Sequence, residues 1–86
     1  MGTKLFRKAV RIQIGRVDRD RIVVGTKDAA QILLRDWPAA DNPKRVTAMK
    51  ACLDVIKGKK TPSVARAAFV AAAKDAGVYL GDYDPG

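Results

Sequence analysis

Hydrophobic and polar residues alternate near the start of the chain, a pattern typical of a strand with one buried face. The apolar positions of this first strand are Phe6, Val10, Ile12 and Ile14. Arg7 and Arg11 fall on the opposite face, and Lys8 interrupts the apolar row. The segment "GRVDRD" then indicates a hairpin connection, and the β-branched run "RIVVGT" predicts a second strand that ends at Gly25.

Three segments with helical spacing follow the second strand. In the first helix, Thr26 is the expected N-cap and Pro38 ends the helix at Trp37. Its apolar stripe is Ala30, Leu33, Leu34 and Trp37. The second helix has Asn42 as its N-cap and ends before Gly58. Its apolar stripe is Val46, Met49, Cys52, Leu53 and Ile56.

The third helix begins with Thr61 and Pro62, a cap followed by a proline at the first helical position, and it runs to Gly77. Its predicted core stripe is Ala65, Phe69, Ala72 and Ala76. The segment "VYL", Val78 to Leu80, predicts a short last strand.

This order of elements, β-β-α-α-α-β, predicts an α+β fold: a small antiparallel sheet with three helices packed on one face. We expect a single α+β domain over residues 5–80, a C-terminal tail over residues 81–86, and the strand order 2-1-3.

The amino-acid composition excludes several chemistries. The 86 residues include no histidine and no glutamate, so the chain has no imidazole base and no Ser-His or Cys-His pair. One cysteine without histidine cannot complete a structural zinc site or an intrachain disulfide. We therefore predict no cofactor and no metal site. The sequence shows no signal peptide and no membrane span, which favours a cytoplasmic protein without membrane partners.

The net charge of +8 is concentrated in the first two thirds of the chain. Residues 1–35 carry nine basic and three acidic side chains, residues 36–60 six and three, and residues 61–86 two and three. Such asymmetry is compatible with a polyanionic partner, although a solvated basic surface is the commoner explanation. The candidate anion contacts are Arg7, Arg11, Arg21, Lys44, Arg45, Lys57, Lys59 and Lys60.

Three other side chains are expected to be structural. Trp37 continues the stripe of the first helix and is predicted to join two helices rather than to form an exposed recognition site. Cys52 is expected to be buried and not a redox thiol, and Phe69 belongs to the core stripe of the third helix. Arg66 is expected to tie helices together through an ion pair with an aspartate such as Asp36 or Asp75.

Two functional hypotheses remain open. The first is a non-enzymatic binding or interaction module that uses its basic side against an acidic protein partner, or that self-associates. The alternative is weak, sequence-nonspecific nucleic-acid binding through phosphates. An enzyme built on aspartates and lysines is the least favoured interpretation, because no defined pair of carboxylates can be read from the spacing.

The second half of the chain resembles a family of small bacterial proteins known as domain of unknown function 982. The resemblance is carried by "WP" at Trp37, by "AMKACLDVIKG" over residues 48–58 and by "ARAAFVAAAKDAGVYL" over residues 65–80, and it spans mainly residues 22–80. Asn42 stands where the family often has a glycine, and Arg45 where it often has an aromatic ring. The resemblance implies the α+β fold and the core, and it implies no activity.

Overall fold

The computed structural model describes residues 5–14, 20–38 and 42–83. The three strands are β1 (Leu5–Ile12), β2 (Arg21–Gly25) and β3 (Tyr79–Tyr83), and the three helices are α1 (Thr26–Arg35), α2 (Pro43–Ile56) and α3 (Pro62–Ala76). The predicted order β-β-α-α-α-β is therefore confirmed. The predicted hairpin connection, apart from Asp20, and the predicted connection over residues 39–41 lie outside the described residues.

The strands form one antiparallel sheet in the predicted order, β2-β1-β3. β3 runs to Tyr83, so Gly81 to Tyr83 are strand residues rather than the start of a tail. Glycine and aspartate are poor strand formers, which is why the sequence pattern ended this strand early. The register between β1 and β3 shifts beside Ile12, and Gly81 has φ +126° there, a conformation that a glycine adopts without strain.

The core lies between the sheet and the helices. α1 packs against β2, α3 packs against β1 and β3, and α2 packs against the other two helices. Phe69 lies at the centre, where its ring centroid is 5.6 Å from that of Trp37. The fully buried side chains of the largest volume are Phe69, Ile12, Leu33, Val10, Val23, Val55, Thr26 and Cys52. The predicted burial of Trp37, Cys52 and Phe69 is confirmed.

The helix ends follow the predicted chemistry at some positions and depart from it at others. The side chain of Asn42 accepts a hydrogen bond from the backbone N–H of Lys44 at 2.7 Å, and Gly77 ends α3 in a left-handed conformation, both as predicted. Thr26 is not the N-cap of α1, because Gly25 occupies that position and the Thr26 side chain is buried. α1 ends at Arg35, two residues before Trp37.

The apolar stripes predicted for the first two helices were partly wrong. In α1 the inward face consists of Thr26, Ala29, Ile32 and Leu33, and Leu34 is exposed. In α2 the inward face consists of Ala48, Ala51, Cys52 and Val55. Val46, Leu53 and Ile56 lie outward instead, and Met49 is half-buried against the core. No helix among the described residues is long and apolar enough to cross a membrane.

Candidate functional site

The start of β1 and the start of α3 border a cleft of about 400 Å³, which we call the basic cleft. It is lined by Leu5, Arg7, Lys8, Thr61, Pro62, Ser63, Arg66 and Asp82. The cleft gathers side chains from distant parts of the chain, and three of them are cations against one carboxylate. Lys59 and Lys60 come immediately before its wall at Thr61, so the predicted basic connection between α2 and α3 leads into this cleft.

Arg66 forms the wall of the basic cleft through two contacts. Its Nε donates to the backbone carbonyl of Lys8 at 2.8 Å, and its guanidinium pairs with the carboxylate of Asp82 on β3. Arg66 therefore ties α3 to both neighbouring strands. The expected partners were wrong, since Asp36 pairs with Arg21 and Asp75 accepts a hydrogen bond from Asn42. The sequence pattern ends the last strand at Leu80 and so leaves Asp82 out of the sheet, although β3 continues to Tyr83.

The contacts of Asp82 leave the basic cleft with unbalanced positive charge. The hydrogen bond from Arg66, together with the one that the Tyr79 hydroxyl donates at 3.0 Å, holds the pKa of Asp82 below its ordinary value. The carboxylate stays ionised at neutral pH, and the guanidinium of Arg66 neutralises most of its charge. Arg7 and Lys8 are exposed and form no ion pair with any described residue. They are the cations available to an incoming anion.

The first turn of α3 adds to this preference for anions. Thr61 occupies the N-cap position, but its hydroxyl bonds to that of Ser63 at 2.9 Å rather than to a backbone N–H of the helix. The first turn also contains no acidic residue. The positive end of the helix dipole at this wall is therefore not offset by a side chain of its own turn.

Other predicted anion contacts are occupied elsewhere. Arg11 pairs with Asp20 at 3.4 Å, and Arg21 pairs with Asp36 at 2.7 Å. Arg45 donates from Nε to the carbonyl of Leu33 at 2.7 Å, so it binds the carbonyl end of α1 and has a structural role. The predicted residues thus do not form one contiguous patch: the exposed Lys44 lies at the start of α2, and Lys57 lies at its end.

The sheet has a second face, turned away from the helices, which no described element covers. Arg11 lies on it beside Ile22, its partner on β2, and 6.0 Å from the ring centre of Tyr83 on β3. Sequence reasoning missed Tyr83, as it missed Lys8 and Asp82. The ring escaped notice because the last strand was ended at Leu80, and the alternation of Tyr79, Gly81 and Tyr83 was the signal available.

The buried cysteine is not a reactive site. Cys52 is fully buried on α2, and burial raises the pKa of its thiol from 9.0 to about 11. It therefore remains a protonated thiol near neutral pH, which is a weak nucleophile. Within residues 5–14, 20–38 and 42–83, no three histidine, cysteine or acidic side chains are arranged to hold a metal ion.

Comparisons with known proteins identify a family and a similar fold for the chain, and they give no activity. A solved structure, the NMR structure of Agrobacterium tumefaciens protein Atu1219, a structural genomics target, has a similar fold with a TM-score of 0.73. The two sequences are 28% identical, and the match covers 95% of this chain and 83% of the other. No curated protein matches the sequence. The profile of the family described as "Protein of unknown function (DUF982)" matches residues 8–80, and the chain belongs to this family.

Proposed function

We propose that this protein is a non-enzymatic binding module whose basic cleft receives an acidic group of a partner protein. The observation that carries the proposal is the convergence of Arg7, Lys8 and Arg66 in one cleft, where the only carboxylate among the described lining residues is already paired to Arg66. Leu5 and Pro62 give the cleft apolar walls beside these cations. A carboxylate side chain with an apolar stem matches such a lining, since its charge meets Arg7 and Lys8 while its methylenes contact the walls.

A non-catalytic role is supported by the chemistry of the chain. No histidine or glutamate is present to act as a general base. The thiol of Cys52 is buried and protonated, and the carboxylate of Asp82 is bound by Arg66. What the cleft offers is fixed positive charge, which is suited to recognition.

Nucleic acid is the second candidate partner, and one observation favours it. Tyr83 lies beside Arg11 on the open face of the sheet, and an aromatic ring next to a cation is a platform on which a single-stranded base stacks. A single such ring, with Arg11 already paired to Asp20, predicts weak binding without sequence preference.

Capture from a native lysate, with and without nuclease, separates the two candidates. The test variant is Arg7→Glu with Lys8→Glu, and the matched control is Lys27→Glu with Lys44→Glu, which has the same net charge and changes exposed sites outside the cleft. We expect the wild type and the control to retain acidic proteins after nuclease treatment, and the test variant to lose them.

Two results would contradict the proposal. Equal loss from the test variant and the control would show that net charge, and not the cleft, holds the partner. Loss of every captured protein on nuclease treatment would make nucleic acid the partner instead.

A further inference from the structure

The outward face of α2 exposes large aliphatic side chains in a regular pattern. Val46 is 51% exposed, Leu53 45% and Ile56 46%, and the half-buried Met49 lies between them. The spacing of these four residues, three then four then three, is that of the a and d positions of a coiled-coil heptad. We call these four residues the α2 stripe. The exposed Leu34 near the end of α1 has its backbone carbonyl 3.5 Å from a guanidinium nitrogen of Arg45, the residue before Val46.

The position of the α2 stripe is unusual for a small domain. The inward face of α2 is built from Ala48, Ala51, Cys52 and Val55. The helix therefore keeps mostly small side chains inside and exposes Val46, Leu53 and Ile56, which no described residue covers, while the half-buried Met49 also packs against the core. Exposed aliphatic residues occur singly on most soluble proteins, and a row of them along one helix marks a contact surface.

The charges beside the α2 stripe decide which partner fits. Lys50 and the C-cap residue Lys57 are both exposed and lie seven residues apart, at the e positions of two consecutive heptads. Arg45, at the g position before Val46, is held by the carbonyl of Leu33 and adds positive charge beside the stripe, whereas the next g position is the buried Cys52. The only acid on α2 is Asp54, which lies beyond the lysine row. Residues at e and g positions face those of the partner helix and set partner choice through charge.

A second copy of the chain is disfavoured by these charges. When two α2 helices pair antiparallel, Lys50 of one faces the lysine row of the other, and when they pair parallel it faces Arg45. Either arrangement brings like charges together, which weakens association. A helix with acidic residues at its e and g positions meets attraction along the same row.

We propose that the α2 stripe docks an amphipathic helix of a partner protein that carries acidic residues beside its apolar face. The surface is separate from the basic cleft, so this inference and the proposed function stand or fall independently. The partner helix lays its apolar side chains between Val46, Met49, Leu53 and Ile56, as in other helix-to-helix recognition.

The probe for this proposal is a fluorescently labelled synthetic helical peptide with leucine at the a and d positions and glutamate at e and g. The comparison peptide has lysine in place of every glutamate. We expect the glutamate peptide to bind the full chain better than the lysine peptide. Lys50→Glu with Lys57→Glu should reverse this order, each preference being about tenfold. Leu53→Gln should weaken both complexes.

Two control substitutions test whether a change in peptide binding is specific to the α2 stripe. Val24→Gln changes an exposed aliphatic residue on the sheet, and Lys27→Glu changes an exposed cation on α1, so neither should alter binding. Circular dichroism of each variant verifies the fold. Equal affinity for the two peptides, or equal weakening by Val24→Gln and Leu53→Gln, would refute the proposal. So would a wild-type dimer that Leu53→Gln converts to monomer, because a second copy would then occupy the stripe.

Discussion

Replacing Trp37 tests the packing between the loop after α1 and helix α3. The ring is 8% exposed and lies 5.6 Å from Phe69, with the two ring planes at 59°. A buried tryptophan removes about 200 Å² from water, which corresponds to about 5 kcal/mol at 25 cal/mol per Å². Measured large-to-small substitutions place Trp37→Ala at a loss of about 3–5 kcal/mol in the free energy of unfolding. A chain of this size has a total free energy of unfolding of about 4–13 kcal/mol, so this loss removes most or all of the stability at the lower end of that range and about a third of it at the upper end.

The substitution Trp37→Phe removes the indole N–H and keeps an aromatic ring, so it distinguishes the contribution of the N–H from that of ring packing. The indole Nε1 is buried and has no hydrogen-bond partner among the described residues. Its removal therefore breaks no hydrogen bond to a described residue, and phenylalanine keeps an aromatic ring on the side of Phe69. We expect a loss of about 1–2 kcal/mol, from reduced volume alone. Urea unfolding followed by circular dichroism measures both variants. A loss below about 1 kcal/mol for alanine would refute the burial argument. Equal losses for alanine and phenylalanine would show that the indole N–H matters.

Cys52 should react slowly with a thiol reagent in the native protein and fast in denaturant, and equal rates would place it on the surface. Because the pKa of Asp82 is lowered in the folded state, its pairing with Arg66 stabilises the fold above the ordinary aspartate pKa and is lost as the pH falls through the lowered value. Asp82→Asn should therefore flatten the acid end of the stability profile, and an unchanged profile would contradict this. Binding to duplex DNA, if about three phosphates are contacted, should give a slope of log K against log salt near −2.7, with a dissociation constant no tighter than about 10⁻⁵ M at physiological salt. Replacing Arg7 and Arg11 should flatten the slope by about two if both touch phosphate, and tight sequence-selective binding would contradict the weak-binding prediction.

The sequence predicted the order of elements and the strand order because these depend on local signals. Alternation marked β1, proline and glycine marked the ends of α2 and α3, and short connections limited the topology. The inward faces of α1 and α2 were harder to predict. Size and hydrophobicity predict that Leu34 and Leu53 are buried. In the structure both are exposed, and the smaller Ala29 and Ala51 are buried instead. The small side chains face inward because the helices pack closely together, and the closeness of this packing depends on the whole fold.

The basic cleft was not predictable from local patterns. Arg7 and Arg66 are far apart in the sequence, and only the antiparallel return of β3 brings Asp82 beside Arg66. In the sequence pattern Lys8 only interrupts the apolar row of the first strand. In the structure its backbone carbonyl accepts the hydrogen bond that anchors Arg66. A site assembled from the ends of three elements leaves no motif in any one of them.

In the proposed function, the basic cleft selects acidic groups by the position of its cations and not by the net charge of the protein. An NMR titration of the labelled protein with a short acidic peptide that lacks apolar residues tests this directly. We predict the largest amide shifts at Arg7, Lys8 and the first turn of α3, and their loss in the variant Arg7→Gln with Lys8→Gln. Shifts spread evenly over the basic surface, or undiminished in that variant, would contradict the claim.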